Sequence, residues 1–334
     1  QDFGRWDLML EGARGEPHLG PAVESAVEWA PAEFSRWMSP DDRSMHLKIR
    51  AAALFGESPL PGSSVSRWTA AEAHSEASLS ALLFFARHRG DLVLAERVGG
   101  EALEHALPEI RLAAAETLWG LRSARFASGA HGVLQQLVHE GGSSGMAALP
   151  LLVSESALSM EALWSEVGNG DTRRCLLALG WSGEVDAISR LMEYLDEPPY
   201  ARLAGAALRL ITGSDPVEDE WQGAAFAVDA VGDEEGSVEI PLEDPDREHG
   251  WPSSEGFGQW WHNHRSDFAM GTRYFAGHPF GVDALRRVVR SGPLAWRAPA
   301  ALRLQRLTGH RLFPTHIPAC QQDRLPINVV REQL

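Results

Sequence analysis

One phrase occurs four times in this chain of 334 residues, and it limits the fold more than any other feature. In each copy an arginine opens a run of small residues, and leucine follows at helical spacing. Proline before the arginine suits the first turn of a helix, and glycine after the run suits a helix C-terminus. The pattern therefore predicts one helix with marked ends in each copy. The copies are HLKIRAAALFGESPL at 46–60, LPEIRLAAAETLWGLRS at 107–123, PYARLAGAALRLITG at 199–213 and PLAWRAPAALRLQRLTG at 293–309.

The four arginines that open these runs share one predicted role. A guanidinium at this place can donate hydrogen bonds to carbonyl oxygens, or to an Asp in the preceding turn, and so brace one helix against another. We therefore interpret them as structural repeat arginines rather than ligand-binding residues. They are Arg50, Arg111, Arg202 and Arg297.

Apolar stripes between the phrases predict partner helices. The stretch DTRRCLLALGWSGEVDAISRLMEYLDEP at 171–198 carries leucine and isoleucine at helical spacing on both sides of a break at 181–183. Alanine-rich faces let neighbouring helices approach closely. Repetition of this kind is typical of an α-solenoid, in which each helical hairpin buries its face against its neighbours. The predicted fold class is all-α, an α-solenoid of helical hairpins interrupted by an acidic, irregular insertion.

The stretch DTRRCLLALGWSGEVDAISRLMEYLDEPPYARLAGAALRLITG resembles the HEAT and armadillo-like repeat families, and the resemblance extends over most of 40–213 and again near 282–309. HEAT motifs are degenerate, so the resemblance implies a fold and leaves function open. It also implies an order of segments along the chain. These are an atypical N-terminal cap at 1–40, HEAT-like repeats at 41–213, the acidic insertion at 214–256, a C-terminal repeat pair at 257–313 and a tail at 314–334.

A narrower resemblance rests on AALRLITG, the acidic Trp-containing insertion after it, RYFAGHP at 273–279 and RAPAALRL at 297–304. This combination is similar to an uncharacterised bacterial HEAT-like family whose members tend to be encoded beside type VI secretion cargo and adaptor genes. The resemblance implies a protein partner among secretion cargo, adaptors or toxins. It brings no catalytic residues to this chain.

The segment from Asp215 to Glu248 holds most of the net charge. It contains 13 Asp and Glu and one Arg, and so contributes −12 of the net −16. It loses the helical period and contains several prolines, which predicts a long insertion between repeats, and GSVEIPLE at 236–243 could form a short hairpin arm. One interpretation is a solvated loop that keeps an alanine-rich chain soluble. The other is an electrostatic contact for a basic partner, with tryptophans as anchors. The predicted partner-binding residues are Glu218, Asp219, Glu220, Trp221, Asp233, Glu234, Glu235 and Trp251.

Metal binding is a third alternative for these acidic runs and for the aromatic stretch that follows. The acidic runs lack the alternating spacing, fixed glycine and terminal Glu of an EF-hand loop. His262 and His264 could ligate a metal from a strand, but on a helix their side chains diverge by about 200°. The pattern of FGQWWHNHRSDF predicts a helix whose core face is Phe257, Trp260, Trp261, His264 and Phe268. We therefore assign no metal site.

Composition and missing motifs disfavour several other function classes. The net charge of −16 argues against nucleic-acid and membrane partners, since both need clustered Lys and Arg. Cys175 and Cys320 lie far apart without a CxxC pair, which argues against a disulfide framework and a structural zinc site. The sequence contains no GxGxxG, Walker or HExxH motif. GGSSG at 141–145 matches GxSxG by its letters, but no apolar strand precedes it as in a nucleophile elbow, so no cofactor and no catalytic residue is assigned. The first residues lack a signal-peptide pattern, and a cytoplasmic location is expected.

These observations predict a non-catalytic protein-interaction scaffold. Its expected role is that of an adaptor or chaperone, or of a toxin-neutralising immunity protein, in bacterial type VI secretion. The alternative is an enzyme or small-molecule-binding helical-repeat protein with a site near 257–275. A deep pocket that holds His264, Arg273 and Tyr274 would favour the alternative, and an open groove with an ordered acidic loop would favour the scaffold. Arg273, Tyr274 and Phe275 are otherwise expected to begin the last helical pair.

Overall fold

The computed structural model describes residues 49, 76–155, 170–224, 246, 249–309 and 315. Most of these residues are helical, which confirms the all-α class for the described part of the chain. In the described ranges, one turn of 3₁₀ helix and one two-stranded hairpin accompany the helices. None of the described helices is both long and apolar enough to cross a membrane. The elements are α1 (Glu76–Arg89), α2 (Leu92–Ala102), α3 (Pro108–Gly120), α4 (Ala127–Glu140), α5 (Gly142–Glu155), α6 (Thr172–Ser182), α7 (Ala187–Met192), α8 (Ala201–Thr212), α9 (Ser254–His264), the 3₁₀ turn (Arg265–Asp267), β1 (Tyr274–Phe275), β2 (His278–Pro279), α10 (Val282–Ser291) and α11 (Leu294–Thr308).

Three of the four repeated phrases form helices with the expected ends. They are α3, which begins at Pro108, and α8 and α11. Gly213 ends α8 and Gly309 ends α11, with φ values of 71° and 73° in the left-handed region that glycine adopts without a Cβ clash. The partner helices predicted at 171–198 are α6 and α7, and Gly183 marks the break between them. The first phrase, including Arg50, lies outside the described residues apart from Ile49.

The chain divides into two compact units. The first unit comprises 1–140 and 286–334, and the second comprises 141–285. One boundary falls inside the predicted repeat segment, and the other falls inside α10. The predicted N-terminal cap lies outside the described residues, and so does the predicted tail apart from residue 315.

In the first unit, α3 packs against α1, α2, α4 and α11. Leu82, Leu94, Leu118 and Leu134 are fully buried between these helices. Gly99 lets α2 approach α3 closely, because a Cβ atom at this position would lie 3.1 Å from Leu118 Cγ. The core of this unit is therefore built from leucine ridges against small residues, as the sequence pattern predicts.

Polar side chains of α11 fasten it to the ends of two other helices in the first unit. Gln305 Nε2 donates to the carbonyl of Arg87 at 3.0 Å, at the end of α1. Arg306 donates from Nη1 to the carbonyl of Trp119 at 2.7 Å, and its guanidinium lies 4.8 Å from the centroid of that indole ring. These bonds supply donors to carbonyl groups in the last turns of α1 and α3, where a helix leaves carbonyls without an intrahelical partner. The Trp119 carbonyl also accepts the amide of Arg122 at 3.1 Å.

In the second unit, α6 packs against α5, α7 and α8. Gly180 lets α6 and α8 approach each other closely, because a Cβ atom at this position would lie only 2.8 Å from the Cβ of Ala207 on α8. Cys175 is buried on α6, and burial raises the pKa of its thiol. An un-ionised, enclosed thiol is a packing residue rather than a nucleophile.

The hairpin of β1 and β2 corrects the prediction that Arg273, Tyr274 and Phe275 begin a helix. Its two-residue turn is Ala276 and Gly277, both with positive φ (50° and 78°), which is the conformation of a type I′ turn. The amides of Ala276 and Gly277 donate to the carbonyls of Leu210 and Ile211 at the end of α8. The segment between α9 and α10 therefore donates hydrogen bonds to the C-terminal end of α8. The last helix pair begins only at Val282.

Candidate functional site

The acidic insertion of the second unit begins in a hydrogen-bonded turn directly after α8. Asp215 Oδ1 accepts the amides of Val217 at 3.0 Å and Glu218 at 3.4 Å, and the amide of Asp215 donates to Asp219 Oδ2 at 2.7 Å. Arg209, in the last turn of α8, donates to Asp215 Oδ2 at 2.6 Å. An aspartate that accepts backbone amides two and three residues further on fixes a tight turn. The first acidic residues therefore have a defined place, with Val217 and Glu218 exposed on the turn.

Trp221 ends this turn and points into the core. Its amide donates to the carbonyl of Pro216 at 2.9 Å, and Glu220 before it has a φ of 59°. The Trp221 side chain is 0% exposed and meets Phe257 of α9 edge-on, with ring centroids 5.2 Å apart. The prediction of Trp221 as an exposed anchor for a partner is therefore corrected, because the indole is enclosed by the fold. Glu220 is exposed beside it.

The chain leaves the insertion next to the place where it entered. Gly223 donates its amide to the carbonyl of Trp251, and Ser253 donates to the carbonyl of Trp221, both at 2.7 Å. A β-bridge pairs Gln222 with Pro252. Gly223 is required for this approach, because a Cβ atom there would lie 2.5 Å from the Pro252 carbonyl oxygen. The two ends of the insertion are thus joined backbone to backbone.

A partly buried ion pair holds the returning chain to α6. Arg173 donates to both carboxylate oxygens of Asp246, from Nη1 at 2.7 Å and from Nη2 at 2.6 Å. Arg173 Nη1 also lies 3.4 Å from the carbonyl of Pro199. Asp246 is only 7% exposed, and a bidentate pair of this kind fixes orientation as well as distance. Neither residue stands out in the sequence, where Asp246 is one of 13 acidic residues in its segment.

Trp251 forms the other attachment of the returning chain. It is half-buried, and the guanidinium of Arg202 on α8 lies 4.5 Å from its ring centroid. A cation over an indole face is a favourable contact. Of the two predicted tryptophan anchors, Trp251 is thus the one that reaches the surface.

Between these two attachments the sequence is strongly acidic. Residues 225–245 contain seven Asp and Glu and no Lys or Arg. This stretch includes three of the predicted partner-binding residues and the predicted hairpin arm at 236–243, and all of it lies outside the described residues. The three residues are Asp233, Glu234 and Glu235.

The other two described repeat arginines lie in the first unit and make different contacts. Arg111 forms a bidentate pair with Glu140 at the end of α4, with distances of 3.3 and 2.6 Å. This hydrogen bond holds the pKa of Glu140 below its usual value. Arg297 donates from Nε to the carbonyl of Gly292 in the preceding turn, at 2.8 Å. Each of these guanidiniums bonds to a neighbouring part of the protein.

Arg273, which the alternative site would use, bonds to helix ends in the second unit. Its Nε donates to the carbonyl of Ser182 at 2.5 Å and its Nη1 to the carbonyl of Ser154 at 3.2 Å. Burial lowers the pKa of Arg273, and Glu184 at 3.7 Å opposes that shift. The guanidinium therefore satisfies the C-terminal carbonyls of α5 and α6.

Tyr274 and His264 also bond to nearby backbone. The hydroxyl of Tyr274 accepts the amide of Ala269 at 2.9 Å and lies 3.4 Å from the carbonyl of Asp267. His264 Nδ1 lies 2.8 Å from the carbonyl of Trp260, and the two rings stack with centroids 4.4 Å apart. The contacts of both side chains are those of residues that hold the end of α9 in place.

The aromatic face predicted for α9 is only partly buried. Phe257 is fully buried, whereas Trp260, Trp261 and His264 are half-buried. The helix ends at His264, and Phe268 reaches the cluster from beyond the 3₁₀ turn. Within the described ranges, no group of three or more His, Cys, Asp or Glu side chains has the arrangement of a metal site.

Comparisons with known proteins found no match for this chain among family models, curated proteins or solved structures.

Proposed function

We propose that this protein is a non-catalytic interaction scaffold that binds a basic protein through its acidic insertion. One observation carries the proposal. The insertion is fastened at both ends to the same helical unit, through the Arg173–Asp246 pair and the two backbone hydrogen bonds between 221–223 and 251–253. A solvated loop that only conferred solubility would need no such attachment.

The attachment has a physical consequence for binding. Joining the ends of a segment removes chain entropy before a partner arrives, so less is lost when the complex forms. Seven carboxylates in the 21 residues between the attachments concentrate negative charge at one place. Such a concentration accelerates encounter with a positively charged surface and selects against acidic partners.

Apolar groups at the base of the insertion supply contacts that charge alone does not. Val217 is 67% exposed among the acidic residues of the first turn, and Trp251 is half-buried at the return. Interfaces gain most of their affinity from a few such anchors inside a polar rim. The proposed contact surface therefore consists of Val217, Glu218, Glu220 and Trp251 together with the acidic residues of 225–245.

The resemblance to HEAT-like proteins supports an α-solenoid arrangement and suggests candidates for the partner. These are type VI secretion cargo, a spike-associated adaptor or a toxin. An adaptor or chaperone releases its partner, whereas an immunity protein keeps a toxin inhibited. An acidic segment suits the second role when the toxin has a basic cleft.

Co-purification with a replacement of the acidic stretch tests the proposal. The tagged full-length protein is purified from its native host, alongside a variant in which 225–245 is replaced by Gly and Ser in equal number. The replacement keeps Asp246, Gly223 and Ser253, and thus both attachments. A stoichiometric basic protein should accompany the first form and be absent from the second.

A matched control separates charge at this place from total charge. Neutralising seven exposed carboxylates elsewhere in the second unit and in the first unit changes the net charge by the same amount, and should leave the partner bound. If the partner stays with the replaced variant, the acidic insertion is not its binding site. If both variants lose it equally, the attraction depends on total charge and the proposal is wrong.

A further inference from the structure

α10 and α11 belong to a segment whose charge is opposite to that of the whole chain. Residues 284–322 contain seven Arg and neither Asp nor Glu, whereas the net charge of the protein is −16. α10 has three arginines against Asp283, a net charge of +2, and α11 has three arginines and no acidic residue. A local excess of charge of this kind is typical of a surface that binds an oppositely charged partner.

Four of these six arginines form a basic surface on the first unit. Arg287 and Arg290 are exposed, and the other two are half-buried. The remaining arginines are turned inward, since Arg303 is only 2% exposed and Arg306 is bonded to the carbonyl of Trp119. The basic surface is therefore confined to the second half of α10 and the first turn of α11. Its arginines are Arg286, Arg287, Arg290 and Arg297.

Exposed apolar side chains continue this surface along the start of α11. Leu294 is 77% exposed, the largest exposed fraction among the large apolar side chains of the described ranges. Ala298 is also exposed, and its spacing of four residues places it on the same side of the helix as Leu294. The surface therefore offers an apolar patch as well as positive charge. We call Arg286, Arg287, Arg290, Leu294, Arg297 and Ala298 the basic face.

The corner between α10 and α11 holds the two halves of the basic face together. Arg297 donates from Nε to the carbonyl of Gly292 at 2.8 Å, and the amide of Gly292 donates to the carbonyl of Val288 at the same distance. A Cβ atom at Gly292 would lie 2.7 Å from that Val288 oxygen, so the corner needs glycine. The amide of Trp296 donates to the carbonyl of Pro293 at 3.0 Å. A ligand would meet a surface whose backbone is already arranged, which lowers the cost of binding.

The chemistry of the basic face favours an acidic peptide segment that also carries apolar side chains. Carboxylates pair with guanidiniums, and an apolar side chain would cover Leu294, which a phosphate backbone would leave in water. The acidic insertion of this same chain has that composition. Residues 225–245 contain seven Asp and Glu and six large apolar residues. The apolar residues are Phe226, Val228, Val231, Val238, Ile240 and Leu242.

We infer that the basic face docks the acidic insertion of a second copy of this chain. The inference rests on the proposed function, because it gives 225–245 the same ability to bind a positively charged surface. Each molecule has one basic face and one insertion, so two molecules can make reciprocal contacts and close as a dimer. A basic partner competes with the second copy for the insertion. Self-association therefore keeps the insertion covered until the partner binds.

The net charge of the protein does not prevent this contact. At about 0.1 M salt, exposed charges more than about 10 Å apart are largely screened, so the charges at the contact decide whether it is attractive. At the basic face these charges are arginines against carboxylates. Raising the salt to about 1 M shortens the screening length to about 3 Å and should weaken the contact.

Sedimentation velocity of the purified full-length protein tests the inference without any other partner. The sedimentation coefficient of the natural chain should rise with concentration to that of a dimer. R287Q/R290Q removes charge from the basic face, and replacement of 225–245 by Gly and Ser removes the charge of the insertion. Each variant alone should stay monomeric at the concentration at which the natural chain dimerises. Their equimolar mixture should form a one-to-one complex, because one variant supplies the insertion and the other supplies the basic face.

Further variants measure how much each part of the basic face contributes. We expect R287Q/R290Q to weaken self-association about tenfold or more, because it removes charge-assisted hydrogen bonds, and L294S to weaken it about threefold. R122Q/R125Q is the matched control, since it removes two exposed arginines of the first unit outside the basic face. The control should stay within about twofold of the natural chain. If R287Q/R290Q does not fold by circular dichroism, R287Q takes its place, because Arg287 is exposed.

Several results would overturn the inference. A natural chain that stays monomeric up to about 100 μM, or two variants that do not associate when mixed, would remove the contact. Equal weakening by R122Q/R125Q would show general charge attraction. If the natural chain stayed monomeric but bound a fluorescein-labelled single-stranded DNA that R287Q/R290Q did not bind, the basic face would be a nucleic-acid surface.

The outcomes for this inference and for the proposed function can be told apart. A basic partner that is lost on replacement of 225–245, from a protein that stays monomeric, would support the proposed function and remove only the contact between copies. Self-association through both surfaces, with no basic protein recovered by co-purification, would support the contact between copies and count against the proposed partner.

Discussion

Two arginines of the second unit make similar numbers of hydrogen bonds but serve different parts of the molecule. Arg273 donates to the carbonyls of Ser154 and Ser182, which end α5 and α6. Arg173 donates to both oxygens of Asp246, which belongs to the acidic insertion. The first arginine joins elements of the helical core to one another. The second joins the acidic insertion to that core.

This difference separates residues that determine the fold from residues that position the proposed binding surface. Carbonyls at helix ends must be satisfied for the helices to pack, so loss of Arg273 affects the whole unit. Asp246 and the chain around it can detach while the helices stay packed, because stability is distributed unevenly over a structure. The two sites should therefore respond differently to the same kind of substitution.

The largest effect is expected for R273A. Removing the guanidinium leaves two carbonyls without their donor, and we expect unfolding free energy to fall by about 2–4 kcal/mol. R273K should recover only part of this loss, because an ammonium group cannot span both carbonyls in the same way. Chemical denaturation followed by circular dichroism measures both.

Arg190 provides the matched control for Arg273. It forms an exposed pair with Glu193 at 2.8 Å in the same unit, and R190A should cost less than about 1 kcal/mol. If R273A were as mild as R190A, the helix ends would not depend on Arg273, and the distinction between the two arginines would be lost.

A smaller effect on global stability is expected for D246N and R173Q. Each breaks the bidentate pair, but the insertion can open locally, so the unfolding free energy should fall by about 1 kcal/mol or less. Hydrogen exchange at the amides of Gly223 and Ser253 should accelerate by about tenfold, since these amides join the two ends of the insertion. A global loss as large as that of R273A would show instead that the pair belongs to the core.

The third effect concerns Trp251 and Arg202. W251A removes a partly exposed cation–π contact, and the expected loss of stability is about 0.5–1 kcal/mol. W251F keeps a ring at this position and should recover most of the loss. Partner affinity should fall in W251A by more than stability does. Unchanged affinity would exclude Trp251 from the contact surface.

The smallest effect calibrates what an exposed arginine pair contributes when no charged segment depends on it. Arg111 lowers the pKa of Glu140, so the stabilisation is present at neutral pH and is lost as pH falls through the lowered folded-state pKa. We expect E140Q to cost about 0.5 kcal/mol or less at pH 7. The difference from the natural protein should vanish in acid, below the usual range of a glutamate pKa. A difference that persists in acid would show that the pair acts through packing rather than charge.

Local sequence patterns predict the helices because the forces that define helix ends are local. Pro108 begins a helix and Gly213 and Gly309 end helices as expected, since backbone geometry at one residue decides each of these points. The hairpin at Tyr274 was missed even though Ala276 and Gly277 suit a type I′ turn. Its strands are two residues each, too short to give a period of two in the sequence.

The attachments of the insertion could not be predicted because they join residues far apart in the chain. Arg173 and Asp246 are 73 residues apart, and nothing in the sequence distinguishes Asp246 from its acidic neighbours. Trp221 was predicted to be a partner-binding anchor because it lies within the acidic segment. Its burial depends on Phe257, which lies on a helix beyond the insertion. Charge near a residue in the sequence thus says little about where its side chain lies.

The salt dependence of partner binding tests the proposed function most directly. The protein recovered by co-purification is titrated against the natural chain and against the variant with 225–245 replaced, between about 50 and 300 mM salt, a range in which screening of exposed charges changes strongly. We expect affinity for the natural chain to be high and to fall steeply with salt, and affinity for the variant to be low with little salt dependence. Equal affinities with equal salt dependence would show that the partner does not bind the acidic insertion.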